Sequence, residues 1–251
     1  HIMEPFLSRD GSVLFFNNLN APTENTNLHW CTRINDTLFQ YNGEIKNVNT
    51  ESLEGVPTMD RNSNFFYVHT GTYEQTLSTI YSGQFSSGSI LNTALVENIS
   101  LETAGWVNFD VEVSNDGNAV YFVDGRFDEN GGPYEANLVL AEKEGGQFFR
   151  SHDSERIFEN INTGDLEYAA AISKDQLEIC FTRVRAPLNA SSEPGIFIAS
   201  RNSTSEPFSN VQLIEKVTGF AEGPAYTPDD QALYFHKKVN GVFRLFLIRK
   251  K

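Results

Sequence analysis

Cysteine, tryptophan and positive charge are all scarce in this chain: its 251 residues include two Cys, two Trp and nineteen Lys plus Arg, against thirty-three Asp plus Glu. With a formal charge of −14 and no basic run or stripe, there is nothing to hold a phosphate backbone, which excludes nucleic acid as a partner. No stretch approaches the run of about eighteen apolar residues that a membrane helix needs, so helical membrane insertion is not expected. Two cysteines make no disulfide framework. Cys31 and Cys180 fall in repeats that are not neighbours in a ring, too far apart for disulfide geometry, and both read as small buried apolar residues. A Gly-x-Ser-x-Gly elbow, a His-Glu-x-x-His pair and a Gly-rich phosphate loop are all missing, which removes the common nucleophilic, zinc and nucleotide chemistries.

What the chain does contain is a phrase repeated five times: a small polar residue, a short acidic or Gly turn, then a β-branched and aromatic run. It stands as LSRDGSVLFF (Leu7 to Phe16), TMDRNSNFFYV (Thr58 to Val68), VSNDGNAVYFV (Val113 to Val123), ISKDQLEICF (Ile172 to Phe181) and YTPDDQALYF (Tyr226 to Phe235). The copies are spaced by roughly 50 to 60 residues, the period of a repeat architecture. Asp-Gly and Asn-Asp-Gly pieces supply the positive φ of tight hairpin turns, and period-2 alternation marks the flanking runs as strands.

Each repeat therefore holds an inner strand, a second strand, a third strand (Leu28 to Thr32, Thr79 to Ser82, Ala136 to Ala141, Gly195 to Ala199, Val242 to Ile248) and a fourth (Glu44 to Val48, Ala94 to Ile99, Arg156 to Asn160, Gln212 to Val217). The predicted fold class is all-β: a five-bladed β-propeller of four-stranded antiparallel blades. Residues 1–3 read as an expression remnant and 4–251 as one domain, with blades at about 4–50, 51–101, 102–163, 164–218 and 219–251. No fourth strand remains after Val242 to Ile248, and too little sequence precedes Glu4 to donate one. A three-stranded last blade is expected, closed by face-to-face packing on the first; a missing N-terminal segment is the other account.

The turn phrase resembles the repeat of TolB-like propellers, related to WD-repeat-like sheets: proline, two residues, serine-proline-aspartate-glycine, then an apolar strand. Pro5-Phe6-Leu7-Ser8-Arg9-Asp10-Gly11 and Pro224-Ala225-Tyr226-Thr227-Pro228-Asp229-Asp230 are the best copies, and Val113-Ser114-Asn115-Asp116-Gly117 keeps most of it. The second and fourth copies are degenerate, and the best-known members have six blades where this chain shows five repeats. The resemblance implies periplasmic or extracellular work, often protein or glycan binding, with any signal peptide already removed. It names no ligand, because the motif is a structural turn.

An acid also precedes each inner strand: Glu4, Glu54, Asp110, Glu167 and Glu222. Inner strands line a propeller's axis, so these five are expected to ring one mouth of the channel. Two accounts are open. A hard cation such as Ca²⁺ would draw on Glu54, Asp110, Glu167 and Glu222; alternatively, each carboxylate accepts backbone N–H groups and staples neighbouring blades. The two longest second-to-third loops, Asp124 to Glu135 and Thr182 to Pro194, share this face, as do the residues ending the second strands: His69, Asp124, Arg126, Arg183, Arg185 and His236. His69 and His236 hold equivalent positions and would face each other across the channel. Trp106 and Tyr134 offer flat apolar walls, Arg126 and Arg183 are expected in internal salt bridges, and Arg185 is expected to be free.

The resulting expectation is a monomeric, exported, non-enzymatic module that needs no cofactor. It binds a protein or glycan at the mouth bearing Glu4, Glu54, His69, Trp106, Asp110, Asp124, Arg126, Glu167, Arg183, Arg185, Glu222 and His236. The alternative is a carbohydrate-active hydrolase or lyase that uses two of these carboxylates.

Overall fold

A computed structural model describes residues 1–21, 25–70, 78–189 and 191–250, so Ala190 of the predicted long loop and Lys251 of the last repeat lie outside the described residues. Strands follow one another as antiparallel meanders. The first comprises β1 (Met3–Leu7), β2 (Val13–Asn17), β3 (Leu28–Asn35) and β4 (Leu38–Glu44), and the second β5 (Leu53–Met59), β6 (Asn64–Thr70), β7 (Ile80–Ser86) and β8 (Ser89–Leu95). A third contains β9 (Trp106–Val113), β10 (Ala119–Asp128), β11 (Gly131–Glu144) and β12 (Gln147–Arg150), followed by a short helix α1 (Ser154–Ile157). A fourth contains β13 (Leu166–Ile172), β14 (Glu178–Val184), β15 (Gly195–Ser200) and β16 (Ser209–Leu213), and a final three-stranded sheet is β17 (Ala221–Tyr226), β18 (Ala232–Val239) and β19 (Val242–Arg249). One parallel pairing, Ala136 with Leu166, joins the third and fourth meanders into a mixed eight-stranded sheet.

Period-2 alternation in the second strands has a direct cause, since successive side chains leave opposite faces and each face meets a different sheet. In β10, Val120 and Phe122 pack with Phe66 and Val68 of β6, while Tyr121 and Val123 pack with Ile179 and Phe181 of β14. In β2, Phe15 joins Phe65 and Tyr67, while Leu14 and Phe16 share a cluster with Tyr234 of β18. Cys180 packs with Tyr226, Leu233 and Phe235. Both cysteines are buried and free. All of this is an all-β fold of antiparallel sheets stacked face to face, consistent with a β-propeller.

The recurring turn serine has a mechanical role. Ser114 Oγ donates to Asp116 at 2.6 Å and accepts the Ala119 N–H at 3.0 Å, and Ser8, Ser173 and Thr227 repeat the arrangement with Asp10, Asp175 and Asp229. Because Ser114 is fully buried, Ser114→Ala is expected to cost about 1–3 kcal/mol in urea unfolding, the usual penalty of an orphaned buried donor.

The fourth strands lie elsewhere than expected. Each of the predicted segments falls later than the observed strand: Glu44 to Val48 against β4, Ala94 to Ile99 against β8, Arg156 to Asn160 against β12, Gln212 to Val217 against β16. The middle two show the physical reason. β8 is mostly exposed, with little apolar signal, whereas Val96 and Ile99 in the connection after it are buried, as are Ile157, Phe158 and Ile161 after β12. Apolar residues there plug the gap between sheets from a connecting segment, and α1 occupies part of the predicted fourth strand.

Candidate functional site

Each inner strand carries a bulge with one residue in the left-handed region: Glu4 (φ 46°), Val56 (φ 53°), Asp110 (φ 48°), Ala169 (φ 50°) and Gly223 (φ 61°). Four of these are non-glycine, and holding a side chain there costs on the order of 1 kcal/mol or more each. All five residues line one cavity of about 20 Å³ between β1, β5, β9, β13 and β17, enough for a single water. Glycine is required at the fifth position, because a Cβ on Gly223 would sit 2.6 Å from Glu4 Oε2 and 2.9 Å from His236 Nδ1. Beyond the cavity Arg9 Nη2 donates to Glu112 Oε1 at 2.8 Å and Thr58 Oγ1 to Glu112 Oε2 at 2.6 Å, a buried tie between three sheets.

The expected ring of five equivalent acids separates into two sets. Glu54, Glu167 and Glu222 sit at the start of their strands, paired in register with His69, Arg183 and His236; Glu4 and Asp110 sit at the bulges. A bulge inserts one residue and turns the following side chain to another face, which sequence spacing alone does not reveal.

Glu54 and Glu167 are staples. Glu54 accepts the Thr50 N–H at 2.8 Å, the Thr50 hydroxyl at 2.7 Å and His69 Nδ1 at 2.6 Å; Glu167 accepts the Thr163 N–H at 3.0 Å, its hydroxyl at 2.7 Å and Arg183 Nε at 2.6 Å. Both carboxylates are fully buried. A duplicated sequence signal marks them: Asn49-Thr50…Leu53-Glu54 and Asn162-Thr163…Leu166-Glu167, with Asn49 and Asn162 bonding the backbone of Leu28 and Leu138. The staple ties each carboxylate to the loop ahead of its own strand and to its own second strand. With blades expected at about 4–50 and 102–163, Thr50 and Thr163 close the blade before, so the staple joins that blade's last residues to the next inner strand.

Glu222 keeps the equivalent threonine, Thr218, yet takes different partners. Tyr168 Oη, from the neighbouring sheet, donates to Glu222 Oε1, and His236 Nε2 donates to Oε2 at 3.2 Å. The Glu4 N–H donates to His236 Nδ1 at 3.2 Å, so both ring nitrogens are engaged. Asp110 accepts the Ala169 N–H at 2.9 Å. Burial pushes the Asp110 carboxyl up to about 7, with the Glu222 charge adding to it and the Ala169 N–H opposing. Burial, then Asp110 and Glu222, holds Glu4 well above the carboxylate range, and burial followed by the Glu222 charge does the same to the Tyr168 phenol.

Three potential ligand atoms, from Glu4, Glu222 and His236, lie within 4.8 Å of one another. Calcium takes six to eight oxygens, and here one of three donors is an imidazole with both nitrogens engaged, so the trio fits a hydrogen-bonded tie better than a calcium cage. Of the four carboxylates expected around a cation, only Glu222 belongs to this trio. The expected cross-channel histidine pair also dissolves, because His69 is held by Glu54 and His236 by Glu222.

The remaining predicted residues scatter. Arg183 is tied to Glu167 and lies 4.7 Å over the Phe197 ring; Arg126 pairs with Glu135 at 2.5 Å on the surface and covers Tyr134. Asp124 is buried under Asn108 Nδ2 at 2.8 Å and Arg150 Nη1 at 3.1 Å. Trp106 is half-buried and its backbone N–H donates to Thr103 O. Arg185 is exposed and has no partner among the described residues.

Above Glu222 opens a pocket of about 320 Å³. The expected long loop Asp124 to Glu135 is instead paired strand, the end of β10 and the start of β11 joined at Glu129 and Asn130, and it contributes Pro133; the loop after β14 supplies Leu188, Asn189, Ser192 and Pro194, and the other strands and connections Phe109, Leu166, Tyr168, Val184 and Phe220. Among the described residues Glu222 is its one charged lining residue. Of these residues only Glu222 was singled out from sequence; Phe109, Tyr168 and Phe220 are ordinary aromatics in strand-like runs, and nothing local distinguishes them from core.

No known protein-family profile matches the chain, and no curated protein matches it by sequence. Solved structures do. Over 98% of this chain and 92% of the other, it superposes on an exo-1,5-α-L-arabinanase from a bovine ruminal metagenomic library at 10% identity and a TM-score of 0.64. A GH43 endo-arabinanase from Bacillus licheniformis is matched over 99% of this chain and 93% of its own, at 12% identity and 0.59. TolB from Acinetobacter baumannii is matched over 99% of this chain at 15% identity and 0.53, and the chain spans 52% of that protein's length. Identities this low establish a shared fold. The class so defined is the β-propeller, with TolB and arabinanases both among its structural neighbours.

Proposed function

We propose that this protein is a non-enzymatic binding module, a five-bladed propeller with a three-stranded last blade, whose ligand enters the pocket above Glu222. One observation carries this reading: of the three axial carboxylates the pocket reaches only Glu222, while Glu4 and Asp110 open into a cavity of about 20 Å³, too small for a sugar ring. Glycoside hydrolysis needs two carboxyl groups on either side of one glycosidic bond. The arabinanase likeness argues for a glycan ligand and a hydrolase, the TolB likeness for binding; the pocket favours binding. Export, a monomeric state and independence of a cofactor belong to the same proposal.

Ring closure rests on the shared cluster of Leu14, Phe16 and Tyr234, on Tyr234 Oη donating to Asp36 O at 2.7 Å, on the Arg249 pair with Asp36 and on Ile2 N donating to Phe243 O at 3.1 Å. Tyr234→Phe, which deletes one buried bond of that seam, is expected to lower stability by about 1 kcal/mol and the melting temperature by about 2–4 °C. Function is tested on glycan and peptide arrays together with a reducing-sugar assay on arabinan. Retention without product is expected, and Leu188→Trp, which fills the pocket from an exposed loop, is expected to abolish it. Reducing sugar released by the protein and lost in Glu222→Gln would move the assignment to a hydrolase.

A further inference from the structure

Three aromatic rings and one carboxylate converge in the pocket: Phe109, Tyr168, Phe220 and Glu222. Phe109 and Tyr168 stand 6.4 Å apart at 49°, walls of a recess and not a flat stack. The Tyr168 hydroxyl is spent on Glu222, so that ring offers its face while the carboxylate is held in place from behind by His236. Remaining walls are aliphatic or proline, with two small polar side chains, Asn189 and Ser192, at the loop edge.

Resting on the binding reading above, we infer that the pocket takes an organic ammonium, a nitrogen cation bearing methyl or alkyl groups. Aromatic faces attract such a cation through their quadrupoles, and alkylated nitrogen sheds water more cheaply than a bare ammonium, so apolar walls suit it. Glu222 supplies the counter-charge at the floor. Among the described residues no Lys or Arg lines the pocket to offset that charge for an anionic ligand; Lys238, whose Nζ lies 5.9 Å from the Phe220 ring centroid, is not one of the lining residues. A neutral sugar would need several polar partners, and the two polar side chains at the loop edge are already engaged within the loop: Asn189 Oδ1 accepts from Ser191, and Ser192 Oγ accepts the Asn189 N–H at 2.9 Å. The chain's charge of −14 draws cations towards the surface in addition. The shared chemistry has two sources, a free quaternary amine or a methylated lysine on a protein, and the test separates them.

Titration calorimetry with choline, with a trimethyl-lysine peptide and its unmethylated counterpart, and with 3,3-dimethylbutan-1-ol, the neutral isostere of choline, reads the inference. Choline or the methylated peptide is expected to bind saturably and at least about tenfold more tightly than the neutral alcohol, a gap of about 1.4 kcal/mol that lies within the cation–π range. Glu222→Gln is expected to bring the cation down to the alcohol's affinity without changing the alcohol, and Phe220→Leu, away from the axial hydrogen bonds, to weaken the cation several-fold in a variant that still unfolds cooperatively. The tighter of choline and methylated peptide names the source. Equal binding of cation and alcohol, both blocked by Leu188→Trp, overturns the ammonium inference and leaves the pocket. Array ligands that Leu188→Trp does not displace overturn the pocket itself.

Discussion

Glu167→Ala is expected to lower the melting temperature by about 6–20 °C, more than Ser114→Ala or Tyr234→Phe. The carboxylate is fully buried and carries three hydrogen bonds, and its removal leaves the Arg183 guanidinium, only 16% exposed, with Ile161 O and an aromatic ring but no counter-charge. Breaking one side of a buried pair costs about 3–5 kcal/mol, and each kcal/mol is worth about 2–4 °C in a chain of this size. The internal control is Arg126→Ala. Its ion pair with Glu135 is as short, 2.5 Å against 2.6 Å, but both side chains are more than 40% exposed, and solvent screening reduces it to about 0–1 kcal/mol. Differential scanning calorimetry of the two variants compares like distances at unlike burial. Equal losses would overturn the staple.

The second large effect is a gain. Asp110→Asn is expected to raise stability at pH 8 by at least about 1.4 kcal/mol, or about 3–6 °C, and to leave it unchanged near pH 4. Burial holds the native Asp110 carboxyl at about 7, while the unfolded chain titrates it near 3.8. Between those values the native state keeps a proton that the unfolded state has released, so the contribution to stability is full below about 4 and is lost as pH rises through 7. Glu4 is shifted in the same direction, and Glu222, His236 and Tyr168 complete the cluster. An amide oxygen can still accept the Ala169 N–H, and Asn tolerates the φ of 48° at this bulge. The turn acids run the other way: serine and backbone hydrogen bonds outweigh the desolvation that opposes them, Asp10 and Asp116 stay below the usual range, and their contribution is lost on acidification. Melting curves of protein and variant from pH 4 to 8 that stay parallel would sink the account.

How much was legible in the sequence varies by element. Strands β2, β6, β10, β14 and β18 were, because each is sandwiched between two sheets and its apolar run cannot be mistaken. The outer strands were not. Exposure strips them of pattern, and the apolar residues that draw the eye, such as Val96 and Ile99, plug the seam from the connection that follows. At the site, Glu222 was legible as an acid before an inner strand, but its difference from Glu54 and Glu167 was not. All three have a threonine four residues ahead, and only the partners show that two are staples and one is turned to Tyr168 and His236.

Local chemistry and periodicity, then, determined the repeat, the turns and the strand-rich character of this protein, since each depends on residues within a dozen positions of one another. The tertiary structure decided where the carboxylates go. Five bulges, each shifting a side chain by one residue, bring Glu4 and Asp110 to a closed axis and leave Glu222 at the floor of an aromatic pocket. The rings of that pocket come from Phe109, Tyr168 and Phe220, in three different repeats, and only the packing of one sheet on the next sets them side by side.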